Sequence, residues 1–335
     1  MTSSPAPRPS TTSPVAELRT VESFVTIGGH ERSKQIAGHS RKRKGGTYTL
    51  AGIRVVTDTA SDLPDELLAE LGIGLVPLRI RFGTEEFIDR VELSTKEFWS
   101  RCSTFDGLPE TSAPSPGQFQ EAFEKMAGEG ADGVVCINLS SKLSATIQAA
   151  RQAATALEGS LPVRVVDSLS VSMGQGLITM DAAERAARGG NLDQVEAAAK
   201  AAVGQVKLYG AIDTLENLKK GGRIGGARAL LGSMLSIKPV IEVRDGVVEK
   251  ESQQRTRSKS LRYLADKVHS AGPLSRLAVF AADAPDLDSF LDMLDGVHPS
   301  EKTLIGDIGP VIGSHAGPGA IGATWMPLAD RSAPG

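Results

Sequence analysis

The sequence predicts an α/β protein made of two α/β domains, the first of which contains a largely parallel sheet. Short β-branched segments at 53–57, 133–139 and 163–167 alternate with longer amphipathic or alanine-rich segments. This alternation is typical of parallel strands joined by right-handed helical crossovers. The chain has 335 residues, of which 40% are apolar, so it is long enough to form two medium-sized hydrophobic cores.

The first domain is expected at residues 53–204. Pro64 lies just before an apolar-periodic segment and marks the first turn of a helix, and Asn191 is a typical N-terminal cap. The alternation of Arg with apolar residues in 75–82 indicates a strand with one solvated face. We predict strands at 53–57, 75–82, 133–139 and 163–167, and helices at 65–71, 118–129, 143–157, 174–188 and 191–204.

The pattern changes near Gly204, so a second domain is expected at 205–327, followed by a tail at 328–335. The dipeptide Asp245-Gly246 separates two strand-like segments and favours a tight hairpin turn. We predict strands at 207–212, 238–243, 247–251, 276–281 and 303–308, and helices at 214–220, 228–235, 258–270 and 286–296.

Residues 1–52 differ from the rest and are expected to be a disordered, basic extension. Residues 1–14 are rich in Ser, Thr, Pro and Ala, and residues 41–44 form a basic run. Such a run could contact nucleic acid or an anionic lipid. No apolar or aromatic residues are interleaved with its charges, so a solvated extension is the favoured interpretation.

Composition and charge argue against several classes of function. Lys and Arg number 37 against 40 Asp and Glu, and the net charge of -3 gives no general reason to expect nucleic-acid binding. No segment approaches the roughly 18 apolar residues that span a bilayer. Cys102 and Cys136 show neither metal-ligand nor disulfide spacing. Reduced thiols and the lack of a secretory apolar segment favour the cytoplasm.

Three turn-forming segments carry polar residues that could converge on a ligand. His315 is framed by Gly and Pro, and its imidazole can donate a hydrogen bond to an anion. Ser141 and Ser144 follow a buried strand and precede a helix, which is where open α/β sheets bind ligands and where helix N–H groups favour an anion. Thr111 and Ser112 begin a Pro-rich loop.

Each of these segments also has a purely structural explanation. His315 could be a half-buried histidine in a C-terminal turn, and Ser141 could cap the helix that follows it. Thr111 or Ser115 could be a turn or cap residue, with Pro116 at the first helical position. Taken together, however, three hydroxyl-bearing turns and a histidine favour a cradle for one carboxylate, because several donors can offset its partial desolvation.

Five separated segments match the motifs of one known family in the family's order: residues 55–64, 111–116, 140–146, 218–224 and 309–319. Through them the chain resembles the DegV family, the fatty-acid-binding proteins that serve bacterial fatty acid kinase. The resemblance runs from about residue 53 to about residue 327. One such motif alone would support the resemblance only weakly, but five motifs in the family's order support it strongly.

The resemblance implies a bound long-chain fatty acid, whose carboxylate is met by hydroxyls and by the histidine. Carried over, the ligand-binding residues are Thr111, Ser112, Ser141, Ser144 and His315. The alkyl chain would lie between the two domains among aliphatic side chains. No metal and no cofactor other than the fatty acid is expected. A catalytic role is not expected either, because a separate ATP-dependent fatty acid kinase would form the acyl phosphate.

The chain departs from the family pattern at two positions of the candidate site. Ala113 stands where the family usually has Gln, and Ala145 where it usually has Gly, so loop shape and acyl preference could differ.

Lys220 and Arg223 of the basic turn could contact an anion or a partner kinase. They could equally form the C-terminal turn of a short helix, where cations complement the helix dipole and Gly221 ends the helix.

Two other classes of function stay open. One is a stand-alone, kinase-related small-molecule enzyme. Asp58 and Asp62 could suggest a metal or phosphoaspartyl site, but turn and capping roles are favoured because no second acidic cluster or lysine pairs with them. No Walker A sequence is present. The other class is a regulator that binds nucleic acid through the basic extension.

Overall fold

The computed structural model describes residues 52–230, 237–297 and 302–328. The predictions for residues 1–51, for the second half of the helix at 228–235 and for the tail after Leu328 therefore lie outside the described residues. Within the described ranges the protein is a mixed α/β fold with a parallel sheet in its first half and a second, larger sheet in its second half. The predicted fold class is confirmed.

The first half of the chain folds around a four-stranded parallel sheet of order β2-β1-β6-β7. A separate three-stranded antiparallel sheet has the order β4-β3-β5. The strands are β1 (Gly52–Asp58), β2 (Gly74–Val76), β3 (Arg79–Phe82), β4 (Glu85–Ile88), β5 (Glu110–Ser112), β6 (Ala131–Asn138) and β7 (Val163–Asp167). The helices are α1 (Asp65–Leu71), α2 (Thr95–Cys102), α3 (Pro116–Gly128), α4 (Thr146–Ala156), α5 (Ser172–Ala187) and α6 (Leu192–Val203).

The prediction of one strand at 75–82 is wrong, because the segment divides between two sheets. Strand β2 ends at Val76 and pairs with β1, whereas β3 begins at Arg79 and belongs to the antiparallel sheet. Pro77 lies at the break and has no N–H to donate to a strand ladder. The N–H of Leu78 donates instead to the hydroxyl of Thr59, at 3.1 Å, which turns the chain away from the parallel sheet.

Two helices in the first half, α3 and α6, begin at the caps that the sequence signals. The Ser115 hydroxyl accepts a hydrogen bond from the N–H of Gln118, and the side-chain oxygen of Gln118 accepts one from the N–H of Ser115. Pro116 is the first helical residue. Asn191 caps α6 in the same way. The interpretation of Ser115 and Asn191 as caps is therefore confirmed.

The second half folds around a six-stranded sheet of order β10-β9-β8-β13-β11-β12. Strands β11 and β12 pair in parallel, and the other neighbours pair antiparallel. The strands are β8 (Lys207–Ala211), β9 (Lys238–Arg244), β10 (Val247–Gln254), β11 (Leu274–Ala281), β12 (Leu304–Asp307) and β13 (Ile321–Pro327). The helices are α7 (Glu216–Lys220), α8 (Arg257–His269), α9 (Leu287–Asp292) and α10 (Pro310–Ala316).

The hairpin predicted around Asp245-Gly246 is confirmed. Val247 pairs with Arg244 across a two-residue turn, and both central residues have positive φ angles of 50° and 81°. Positive φ at both positions is the backbone of a type I′ turn, which matches the twist of the flanking strands.

Helix α5 lies between the two halves of the chain. It contacts β1 and β6 on one side and β11 and β13 on the other. Leu177 of this helix belongs to the same buried cluster as Leu208 and Phe280 of the larger sheet. Arg276 of β11 donates to the carboxylate of Glu184 at 2.7 Å at the edge of this contact. The two sheets are therefore joined through one continuous hydrophobic core.

Candidate functional site

A cavity of about 220 Å³ lies where the two halves of the chain meet. Most of its wall is aliphatic, with Leu139 and Val171 from the first half and Ile241 and Val248 from the second. Polar side chains are few: Thr111, Ser112, Ser144, Ser172, Arg223 and His315. An apolar cavity with a small number of convergent polar groups is the usual form of a site for a small ligand.

The segment around His315 forms a short helix, α10, where the sequence suggested a turn. Pro310 is its first residue, and Gly317 ends it with a φ of 79°. The helix is packed against α2, β3 and β5 of the first half, although it lies in the second half of the sequence. Val311 is buried beside Leu78 in that contact. Helix α10 therefore carries His315 across to the first half of the chain.

Strand β5 brings Thr111 to the same place. The hydroxyl of Thr111 lies 3.0 Å from Nε2 of His315. Ser112, the last residue of β5, also lines the cavity and is exposed. The Gly/Pro-framed histidine and the Thr-Ser segment, recognised separately in the sequence, are thus brought together.

The environment of His315 keeps its imidazole neutral. Burial, together with the nearby positive charge of Arg223, lowers the pKa of His315 from 6.5 to about 4. Its Nδ1 atom is buried and has no hydrogen-bond partner within the described parts of the chain. A Cβ atom at Gly221 would overlap this Nδ1, so the ring requires glycine there. The imidazole therefore has unused hydrogen-bonding capacity at Nδ1.

The serines of the loop that follows β6 have different surroundings and different hydrogen-bond partners. Ser144 lines the cavity, and its hydroxyl lies 2.9 Å from that of Thr146. Ser141 is not among the residues that line the cavity in the described part of the chain, and its N–H donates to the Asp167 carboxylate at 3.2 Å. The Ser140 hydroxyl donates to the carbonyl of Gly246 at 2.7 Å and so ties the loop to the β9–β10 hairpin.

The suggestion that Ser141 caps helix α4 is wrong. The helix begins at Thr146, and the residue before it, Ala145, has no side chain that could cap. The Ser144 hydroxyl accepts from the Thr146 N–H at 3.3 Å. The helix therefore begins three residues later than predicted, and residues 142–145 separate Ser141 from it.

Arg223 and Lys220, both in the basic turn at 218–224, lie in different environments. Arg223 lines the cavity, and its guanidinium donates to the carbonyls of Leu143, at 3.1 Å, and of Gly221, at 2.6 Å. Lys220 is exposed at the end of α7 and is not among the cavity-lining residues described. Arg223 therefore links the basic turn to the Ser-rich loop, while Lys220 faces outward.

The two aspartates after β1 have structural partners. Asp58 is buried and accepts from the N–H groups of Ala60 and Leu139 and from the Asn138 amide. Asp62 accepts from the Ser172 hydroxyl and from the N–H of Gly309, at the start of α10. No cluster of three or more potential metal ligands occurs within residues 52–230, 237–297 and 302–328. These contacts support turn and anchoring roles for both carboxyls.

Comparison with known proteins identifies the family. The sequence profile of the DegV family of uncharacterised proteins matches residues 52–328. The chain belongs to the DegV family. A DegV domain-containing protein of Deinococcus radiodurans is 37% identical over 82% of this chain and 99% of its own length. A DegV domain-containing protein of Listeria monocytogenes is 34% identical over 82% of this chain and 98% of its own length.

Solved structures of DegV proteins have the same fold. A fatty-acid-binding DegV family protein from Thermus thermophilus superposes with a TM-score of 0.75, at 33% identity over 82% of this chain and 99% of that chain. DegV of Bacillus subtilis, also a fatty acid binding protein, gives a TM-score of 0.71 at 28% identity over 82% and 99%. Among the described residues, no helix of this DegV protein has the length and apolar character to cross a membrane.

Proposed function

We propose that this DegV protein holds a long-chain fatty acid in the cavity between its two halves. The observation that carries the proposal is the pairing of Thr111 with His315, next to Arg223, on the wall of a cavity that is otherwise aliphatic. Such a site suits a ligand with one anionic group and a long apolar body. The fatty acids bound by the Thermus thermophilus and Bacillus subtilis relatives have this chemistry.

The carboxylate is held in this proposal by Thr111, Ser112, Ser144 and His315. The hydroxyls donate directly, and the neutral imidazole donates through whichever ring nitrogen carries its proton. Arg223 adds a positive charge and a planar set of N–H donors. Ser141 lies on the same loop, and because its hydroxyl is outside the cavity lining, we assign it the role of shaping that loop.

The aliphatic wall provides most of the binding free energy. Each buried methylene contributes about 0.8 kcal/mol. A chain of sixteen carbons therefore offers on the order of 10 kcal/mol before the cost of ordering it is subtracted. The polar residues then fix the orientation and exclude neutral lipids, because an ester or alcohol would leave Arg223 and His315 without an anion.

The bound acid is proposed to be a substrate for a separate ATP-dependent fatty acid kinase, which forms the acyl phosphate. Ser112 and Ala145 are exposed at the polar part of the cavity, so a second protein can reach the carboxylate there. Lys220 is exposed close by, on the turn that follows α7, and can contact an acidic kinase surface. The DegV protein would then be a non-catalytic, cytoplasmic substrate carrier.

Reconstitution tests this proposal. The purified protein, loaded with a fatty acid, is mixed with a bacterial fatty acid kinase catalytic subunit and ATP, and acyl phosphate is trapped with hydroxylamine. We expect product only when both proteins are present, and less product with Lys220→Glu. ATP turnover by the DegV protein alone would instead support the stand-alone enzyme.

A further inference from the structure

One face of the six-stranded sheet forms the floor of the cavity. Leu208, Ile241 and Phe280 of three different strands line it. Successive side chains of a strand point to opposite faces. Accordingly Val279, next to Phe280, is buried in a separate cluster on the other face, with residues of α8. The pairing register of the sheet therefore decides which side chains face the cavity.

Two glycines interrupt this floor at one place. Gly210 of β8 and Gly322 of β13 are directly paired, and both line the cavity. Their neighbours Tyr209 and Ile321 also line the cavity, although the side chains of both pack in the cluster on the opposite face. The cavity consequently reaches the main chain here, in a trough without side chains.

The trough is bounded by one large side chain on each side. Gly210 pairs with Ile241 on β9, and Gly322 pairs with Phe280 on β11, so the row Ile241, Gly210, Gly322, Phe280 crosses four neighbouring strands. Neighbouring strands lie about 4.8 Å apart, so roughly 14 Å separates the backbones of the two outer residues. Within that width the two glycines offer different amounts of room.

The ring of Phe280 covers Gly322 but leaves Gly210 open. A Cβ atom built on Gly322 would overlap Cε2 of Phe280, so the ring lies directly on the glycine. A Cβ atom on Gly210 would have Cγ1 of Ile241 as its nearest neighbour, at 3.6 Å, which is an ordinary contact. Neither glycine has a positive φ, so both positions have a backbone that other residues can adopt.

We propose that Phe280 and Gly210 set the acyl-chain length that this protein accepts. The inference rests on the proposed fatty-acid function and deepens it. The chain lies over the open glycine, Gly210, and the Phe280 ring blocks the continuation of the trough over Gly322. Removing the ring lengthens the space for the chain, and adding a side chain at Gly210 fills the space in which the chain lies.

The two substitutions should change selectivity in opposite directions. Each methylene that gains or loses a place in the cavity changes affinity about fourfold, and two methylenes change it about fifteenfold. Phe280→Ala is expected to raise the ratio of bound arachidate to bound palmitate by about tenfold or more. Gly210→Val is expected to lower the ratio of bound palmitate to bound laurate by a similar factor.

The experiment is a competition. Delipidated protein is incubated with an equimolar mixture of laurate, palmitate, stearate and arachidate, and the bound acids are identified by mass spectrometry after gel filtration. Val279→Ala is the matched control, because it truncates a buried residue of the same strand on the face away from the cavity. Its ratios should equal those of the wild type. If Gly210→Val does not fold, Gly210→Ala replaces it, since its methyl group fits.

The outcomes separate this inference from the function on which it rests. If the wild type retains none of the four acids, the fatty-acid function itself is contradicted. If the wild type binds them but Phe280→Ala and the Gly210 variant keep its ratios, the assignment of these residues is overturned. A change in the ratios of bound acids no larger than the change caused by Val279→Ala would also overturn the assignment.

Discussion

The hydroxyl of Thr111 and Nε2 of His315 lie 3.0 Å apart, although 204 positions separate them in the chain. The contact depends on two elements with weak sequence signals: the three-residue edge strand β5 and the seven-residue helix α10. It joins the two halves at the polar part of the cavity. Because both groups line that cavity, a carboxylate that enters it can be met by a hydroxyl and an imidazole together.

The Thr111 hydroxyl should be needed for binding. Thr111→Val keeps the shape of the side chain and removes the donor. Hydrogen bonds to charged groups contribute roughly 1.5–3 kcal/mol, so affinity for palmitate should fall about tenfold to a hundredfold. Displacement of a fluorescent fatty acid measures the dissociation constant. Thr111→Ser retains a hydroxyl and should bind nearly as the wild type does; equal affinity of Thr111→Val and the wild type would contradict the assignment.

His315 should stay neutral well below pH 6.5 in the empty protein. Burial and the positive charge of Arg223 together lower its pKa to about 4. An NMR titration of the ring nitrogens should therefore show little protonation at pH 5.5. Arg223→Gln removes the positive charge and should raise the pKa of His315 measurably. A His315 that titrates near 6.5 in the wild type would contradict the environment described.

Ser144 and Ser141 should differ in their effect on binding. Ser144 is one of the residues that line the cavity, whereas Ser141 is not among the lining residues in the described part of the chain. Ser144→Ala should weaken fatty-acid binding about tenfold, and Ser141→Ala should change it less than threefold, as measured by the same displacement assay. The two variants serve as each other's control, because they remove the same group from one loop. The reverse order would show that the loop rearranges when the ligand binds.

The buried carboxyl of Asp62 should make stability depend on pH. Burial raises the pKa of Asp62 from 3.8 to about 7. Its contribution to stability is therefore fully present below pH 3.8 and lost as the pH rises through 7. Asp62→Asn should stabilise the protein at pH 8 by an amount on the order of 2–4 kcal/mol, with little effect at pH 4.

Urea unfolding of the wild type and Asp62→Asn at both pH values measures this difference. Asp132→Asn is the control, since Asp132 is exposed at the start of β6. Asp62 holds the N–H of Gly309, so the variant also reports on how helix α10 is anchored. An Asp62→Asn effect that is the same at pH 4 and pH 8 would contradict the raised pKa.

Many of the helices and strands could be predicted because each shows its own hydrophobic periodicity in the sequence. Helix 65–71 and strand 163–167 were predicted with the bounds that the structure has. Strand β4 was missed because it begins with Glu85 and Glu86 and has no buried residue. Strand β13 was missed because it follows a Gly/Pro-rich segment, and its burial depends on its place between β8 and β11.

The site could be predicted at the level of motifs but not of individual atoms. Thr111, Ser112, Ser144 and His315 were named from the family resemblance, and the structure places all four on one cavity. Whether Ser141 or Ser144 points inward depends on where α4 begins, which periodicity cannot locate within two residues. Gly210, Gly322 and Phe280 carry no local signal, since their relation exists only in the register of three strands.

Whether a fatty acid occupies the cavity can be measured by native mass spectrometry of the purified protein, followed by denaturation and identification of the released molecule. We expect one fatty acid per chain, and its loss in the double variant Thr111→Val with His315→Ala. A protein that is empty after purification and also fails to take up added fatty acids would show that the cavity does not hold a fatty acid.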